Sequence, residues 1–160
     1  MICTGGEILG FKTERELLDM AIASPYMQEI IDAEIDDAFL QVEPRGLFGI
    51  PDLVIAKKEN ENQGCNLTTF AFEMKLNNWQ RALTQAFRYR SFANMSYVML
   101  DDDHVGPALT NIHKFVTSNI GLLSINTEGK INTHFEPNYD EPYSDQLSLF
   151  WEQLVDKTDE

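Results

Sequence analysis

Gly49-Ile50-Pro51-Asp52-Leu53-Val54-Ile55 and, beyond a polar interval, Phe70-Ala71-Phe72-Glu73-Met74-Lys75 are the stretches whose reading decides the fold. The first is an apolar run opened by an aspartate. The second is an apolar run that carries a Glu and a Lys two residues apart. Short apolar runs bounded by Gly and Pro predict buried strands. Side chains alternate along a strand, so Glu73 and Lys75 share one face while Phe72 and Met74 turn to the other. With Asp52 on the neighbouring strand, two acids and one amine can meet at a point. Two carboxylates beside an ammonium suit a divalent-metal site that activates water against a phosphodiester. Each residue also has a plainer role open to it: Asp52 as a turn cap, and Glu73 with Lys75 as a surface ion pair of little worth.

Upstream, Thr13-Glu14-Arg15-Glu16 reads as a capping box with Thr13 as N-cap and Glu16 reaching back. Leu17, Leu18, Ala21 and Ile22 follow as an apolar stripe. Glu14 precedes Leu17 and Leu18 by three and four residues and so lies on that stripe. A carboxylate on a core-facing line needs a partner or a metal, unless it serves only as a helix-end acid favoured by the dipole. A second helix is predicted over 25–38, with Met27, Ile30, Ile31 and Ile35 inward, then a strand over 39–42 and a turn at Glu43-Pro44-Arg45-Gly46. The strand opened by Asp52 spans 53–56, and the polar, Gly64-containing interval 57–66 reads as a hairpin loop.

Downstream, Asn77 or Asn78 caps a helix running to about residue 93. Trp79, Ala82, Leu83, Ala86 and Ala93 form its buried face. Arg81, Gln85 and Arg88 recur at i, i+4 and i+7 and line a flanking face, either solvated or turned to a ligand. A strand over 96–100, a helix over 107–118, a hairpin of 121–126 with 130–135, and an amphipathic helix over 144–155 complete the order. Helices alternating with strands in this way predict an α/β fold. Trp79 and Trp151 read as core anchors, and His104, His113 and His134 lack metal-ligand spacing.

The chain has 160 residues, 43% of them hydrophobic, which predicts one domain over 1–160. Its formal net charge of -14 opposes nucleic acid at long range. The opposition is uneven: residues 76–100 contain no Asp or Glu but include Arg81, Arg88 and Arg90. The acids crowd into 29–43, Asp101-Asp102-Asp103 and the segment from Glu136 onward. Cys3 and Cys65 form no paired motif and suggest reduced thiols in a cytoplasmic protein. Residues 1–11 have no basic, apolar leader pattern, and no eighteen apolar residues run together, so no membrane association is expected.

Mg²⁺ takes oxygen ligands and keeps several waters, so two or three carboxylates suffice to hold it. Asp52 and Glu73 would supply two, Glu14 a third, and the main-chain carbonyl of Met74 a further oxygen. Lys75 would orient or deprotonate the attacking water and stabilise developing phosphate charge. Pro51-Asp52, then Glu73-Met74-Lys75 about twenty residues on, then a helix carrying Gln85, together resemble the PD-(D/E)xK nuclease superfamily, also called restriction-endonuclease-like. Glu14-Arg15-Glu16-Leu17-Leu18 is similar to the first-helix motif of its Holliday-junction resolvases, whose leading Glu is a metal ligand. The likeness covers 13–100.

The resemblance implies a core with a central mixed β-sheet flanked by helices in αβββαβ order, here followed by a C-terminal hairpin and helix. It implies hydrolysis of nucleic-acid phosphodiesters, DNA first, with Mg²⁺ as cofactor and Mn²⁺ able to replace it. Arg81, Gln85 and Arg88 would then lie near the substrate backbone. Two other roles stay open. One is an inactive module that binds a protein partner through its acidic surface, and the other is an accessory subunit. A homodimer is also open, since many such nucleases pair to reach both strands.

Overall fold

The computed structural model describes residues 10–61 and 64–158. The expectations for Cys3 and the rest of 1–9 lie outside them. Its centre is β3 (Gly64–Lys75), which pairs antiparallel with β2 (Leu53–Glu61) and parallel with β4 (Met95–Asp101). β1 (Phe39–Val42) lies outside β2, while β5 (Gly121–Ile125) and β6 (Ile131–Phe135) continue beyond β4. The six strands run in the order β1-β2-β3-β4-β5-β6, with β3, β4 and β5 mutually parallel and every other pairing antiparallel. The protein is therefore an α/β fold with a mixed sheet flanked by helices.

Two successive crossovers join the parallel strands: α3 (Trp79–Tyr89) between β3 and β4, then α4 (Gly106–Thr110) and α5 (Ile112–Ser118) between β4 and β5. Crossovers of one hand that step the same way across a sheet land on the same face. One core accordingly gathers Val54, Ala71, Val98 and Leu122 of the sheet with Trp79, Ala82 and Ala86 of α3, Phe115 of α5, and Trp151 of α6 (Asp145–Thr158). The other face packs Ile55, Phe70, Phe72, Met74 and Met99 against Leu17, Leu18 and Ala21 of α1 (Glu14–Ala23) and Met27 and Ile31 of α2 (Tyr26–Ile31). Trp151 is an anchor in a literal sense, because its indole N–H donates to the Thr69 hydroxyl at 3.0 Å inside the core.

The capping box of α1 forms, with the Glu16 N–H donating to Thr13 Oγ1 at 3.1 Å, although the Glu16 carboxylate takes the N–H of Lys12 (3.2 Å) instead of that of Thr13. Four boundaries differ from expectation. The interval 57–66 is mostly ladder, not loop: β2 and β3 stay paired to Glu61↔Gly64, with residues 62–63 outside the described part. Polar side chains suffice there because the ribbon projects past the core, where Lys57 pairs with Glu59 at 3.3 Å and Thr68 donates to Glu59 at 3.2 Å. The helix predicted over 25–38 ends at Ile31 because Asp32 takes the left-handed conformation (φ 54°), and only a 3₁₀ turn follows at Ile35–Asp37.

The helix begun at Trp79 closes at Tyr89, where the chain tightens into i→i+3 turns and the Asn94 N–H docks onto the Thr69 carbonyl at 3.0 Å. The helix predicted over 107–118 breaks at Asn111, whose backbone (φ −111°, ψ 26°) leaves the helical region. Among the described residues no helix is long and apolar enough to cross a membrane.

Candidate active site

Asp52 stands one residue before β2. Leu53 pairs with Phe72, so carrying the antiparallel register one step back sets Asp52 directly across from Glu73. Opposed residues on adjacent strands project to the same side, and two like charges in that position repel. Alternation along β3 sends Phe72 and Met74 into the α1–α2 core and leaves Glu73 on the α3 side, as the pattern predicts. A destabilising pair of acids is thus fixed by the strand register itself.

Three groups offset that repulsion. The Met74 N–H donates to Asp52 Oδ2 at 2.7 Å. The Tyr89 hydroxyl, on the last turn of α3, lies 2.5 Å from Glu73 Oε1 and 3.2 Å from the Ile50 carbonyl. A phenol has one hydrogen, and the charged acceptor at the shorter distance takes it. Lys75 Nζ is 3.7 Å from Glu73 Oε2 and 3.7 Å from Glu14 Oε1, so it stands between the two. Glu73 is nearly enclosed, with a side chain only 3% exposed, whereas that of Glu14 is 47% exposed. Glu14 therefore reaches the site from the rim, at the first turn of α1.

Burial and the Asp52 charge push the Glu73 carboxyl up to about 7, against the pull of the Tyr89 hydrogen bond and of Lys75. Burial also raises Asp52, with Glu14 and Glu43 adding to the rise, and the Met74 amide and Lys75 opposing it. The Tyr89 phenol is raised by its enclosure and by Glu73, so it stays a hydrogen-bond donor. At neutral pH the pair is thus poised to hold or release one proton.

A small cleft of about 170 Å³ opens beside the pair, lined by Glu14, Arg15, Leu18, Glu43, Asp52 and Met74. Glu43 was legible only as a turn residue. It adopts φ 50°, unusual for a residue with a side chain, while its N–H bonds the Asp52 carbonyl at 3.2 Å, which seats it at the cleft. Tyr89 is the other residue missed from the sequence. The available signal was its place on the inward stripe of α3 with Trp79, Ala82 and Ala86, because a buried phenol must find a partner.

The structure thus brings Glu14, Asp52, Glu73 and Lys75 together, with the Met74 backbone at their centre. Among the described residues no group of three or more His, Cys, Asp or Glu side chains is gathered as a metal cage. The donors nevertheless fit a hard divalent ion: all are oxygens, and the Asp52 charge raises the proton affinity of Glu73 while Glu14 and Glu43 raise that of Asp52, a crowding of negative charge that a cation would relieve. The predicted contact residues on α3 divide. Arg88 is exposed, and its charge acts on the Tyr89 phenol. Gln85 is half-buried one turn before Tyr89, with Oε1 enclosed and without a protein partner. Arg81 is exposed, and only its backbone N–H is engaged, by the Asn78 cap at 3.3 Å. Comparison with known proteins finds no family model that matches the chain, and no curated protein or solved structure with significant similarity to it.

Proposed function

We propose that this protein hydrolyses nucleic-acid phosphodiester bonds, DNA foremost, on a restriction-endonuclease-like core. The observation that carries the proposal is the pairing of Asp52 and Glu73 across adjacent strands, with Lys75 Nζ 3.7 Å from Glu73 and from Glu14. A surface ion pair does not require two facing acids, nor a buried tyrosine to hold one of them. The strand order supports the same reading, since a helix precedes a three-stranded antiparallel run, and a crossover helix then leads to a parallel fourth strand.

Asp52, Glu73 and Glu14, with the Met74 carbonyl, would hold Mg²⁺ or Mn²⁺, which supplies charge neutralisation at the phosphate and a more acidic water. Tyr89 keeps Glu73 Oε1 engaged and leaves Oε2 facing Lys75. Lys75 orients the attacking water and offsets charge developing on the phosphate oxygens. Arg88 and Arg81, exposed on α3, would meet the substrate backbone, whereas Gln85, its Oε1 enclosed, would act from behind them.

Incubation with Mg²⁺ or Mn²⁺ and single-stranded, duplex and branched DNA, and with RNA, tests the proposal. Cleavage that disappears in Asp52→Ala and in Lys75→Ala, both folded by circular dichroism, is the expected outcome. Absence of cleavage of every substrate by the wild-type protein refutes it. The net charge of -14 favours a second reading, a catalytically silent module or accessory subunit whose acidic surface binds a protein. Salt separates the two, because affinity for nucleic acid falls steeply with ionic strength only where phosphates are contacted.

A further inference from the structure

Glu43 and Asp52 both line the cleft, and the loop between them is clamped against α6 and α3. Gly46 (φ +95°) lies so close to Phe150 that an added Cβ would stand 2.8 Å from the ring. Gly49 (φ +82°) lies against the Tyr89 ring, where a Cβ would stand 3.2 Å away. The Ile50 carbonyl faces the Tyr89 hydroxyl at 3.2 Å. Between and beside these clamps, Phe48 and Ile50 point outward, 54% and 43% exposed. A held loop that displays apolar side chains forgoes the hydrophobic stabilisation their burial would bring. The Arg88 guanidinium sits 5.6 Å from the Phe48 ring centroid. Beyond Arg88, a shallow apolar depression is formed by Leu83, Thr84, Phe87 and Ser118.

We propose that Phe48, backed by Arg88, is a stacking platform for an unpaired nucleobase, so that the protein takes single-stranded or frayed nucleic acid in preference to closed duplex. An aromatic face beside a guanidinium is the combination that grips single strands: the ring stacks on a base of any identity and the cation meets the backbone. The occupant follows from charge and continuity. Residues 76–100 carry no acid, so α3 offers its arginines to an anion. The platform stands two residues before Ile50, whose carbonyl faces the Tyr89 hydroxyl that also reaches Glu73, so a strand whose base stacks on Phe48 can run on toward the facing carboxylates. A base inside a closed duplex has no free face to offer, hence the preference. The inference deepens the phosphodiesterase reading and rests on it only for the fate of the bound strand.

Binding in EDTA, where cleavage cannot intervene, tests it with the full chain. The probes are a fluorescein-labelled oligothymidine, an abasic strand of equal length, and a blunt duplex, followed by anisotropy at several salt concentrations. The wild-type protein is expected to bind oligothymidine about tenfold or more tightly than the abasic strand, the order of one lost base stack. Phe48→Ala is expected to erase that difference and Phe48→Trp to keep it. Arg88→Ala is expected to weaken all three probes and to reduce the salt slope by about one.

Equal affinity of the wild-type protein for oligothymidine and the abasic strand overturns the inference. So does Phe48→Ala binding oligothymidine as tightly as wild type, or self-association on sedimentation that Phe48→Ala abolishes, which would make the patch an interface between proteins. The two readings fail separately. Phe48-dependent strand binding without cleavage under Mg²⁺ leaves the platform standing and removes the phosphodiesterase, and cleavage indifferent to Phe48 does the reverse.

Discussion

Glu73→Gln should make the protein more stable and inactive at once. In the unfolded chain this carboxyl titrates near 4.5, and in the folded protein near 7. Between those values the native state holds a proton that the unfolded state has released. Stability from this group is therefore full below about pH 4.5, falls as pH rises through 7, and is flat above. The difference corresponds to about 3 kcal/mol, at about 1.4 kcal/mol per unit. Gln cannot ionise, yet its amide oxygen still accepts from Tyr89 and its N–H can reach Asp52. The variant should then match wild type within about 1 kcal/mol near pH 4.5 and exceed it by up to about 3 kcal/mol at pH 8.

Urea unfolding of both proteins in EDTA, at a series of pH values, measures this directly. The comparison is differential, so the general effect of a net charge of -14 cancels to first order. A Glu73→Gln protein no more stable than wild type at pH 8 would refute the reasoning, because the facing acids would then not be in conflict. Parallel stability curves at all pH values would do the same. Cleavage in Mg²⁺ should be lost in the variant at every pH, so that stability and activity move in opposite directions.

Tyr89→Phe removes the hydroxyl given to Glu73 and is expected to cost about 1.5–3 kcal/mol at pH 8, where the acceptor is charged, and less at pH 5. Because that hydrogen bond holds the Glu73 pKa down, the variant's pH–rate profile should begin to rise at a higher pH than that of wild type. Gly46→Ala meets both a positive φ and the Phe150 ring, so its melting temperature should fall by several degrees, an order of about 1–2 kcal/mol, with circular dichroism unchanged in shape.

Much of this arrangement can be read from the chain because it depends on a period of two. Alternation in Phe70-Ala71-Phe72-Glu73-Met74-Lys75 sets Glu73 and Lys75 apart from Phe72 and Met74, and the structure keeps them so. The capping box at Thr13 and the cap at Asn78 are equally local and are found where expected. What could not be read depends on register between distant segments. That Asp52 and Glu73 could meet was expected, but that they stand directly across from each other, and that Glu43 lines the same cleft, follows only once Val42 is known to pair with Leu53 and Leu53 with Phe72. The polar extension of the hairpin was hidden for a related reason: backbone ladders persist without apolar side chains, so hydropathy marks where the core ends and not where pairing ends. Tyr89 lay between these cases. Its place on the α3 stripe was visible, but its partner was on another strand.

The global charge is the main physical objection to nucleic acid as substrate, and it weakens once charge is placed in space. At physiological ionic strength a surface charge is felt over about 8 Å. Of the acids of 29–43, those up to Asp37 belong to α2 and the segment leading into β1, on the sheet face opposite α3, while Glu43 lines the cleft itself. Arg81 and Arg88 are exposed on α3, whose stretch of chain contributes no acid. An approaching strand therefore meets screened repulsion from the net charge, some of it from the acidic segment around α6 on the same sheet face and from Glu43, and contact-range attraction at Arg81 and Arg88. The two have opposite salt dependences, since added salt weakens both. If contacts at α3 dominate, affinity must fall as salt rises. If the net charge dominates, affinity must rise. The sign of that slope decides whether the facing carboxylates sit within a nucleic-acid interface or merely within an acidic protein.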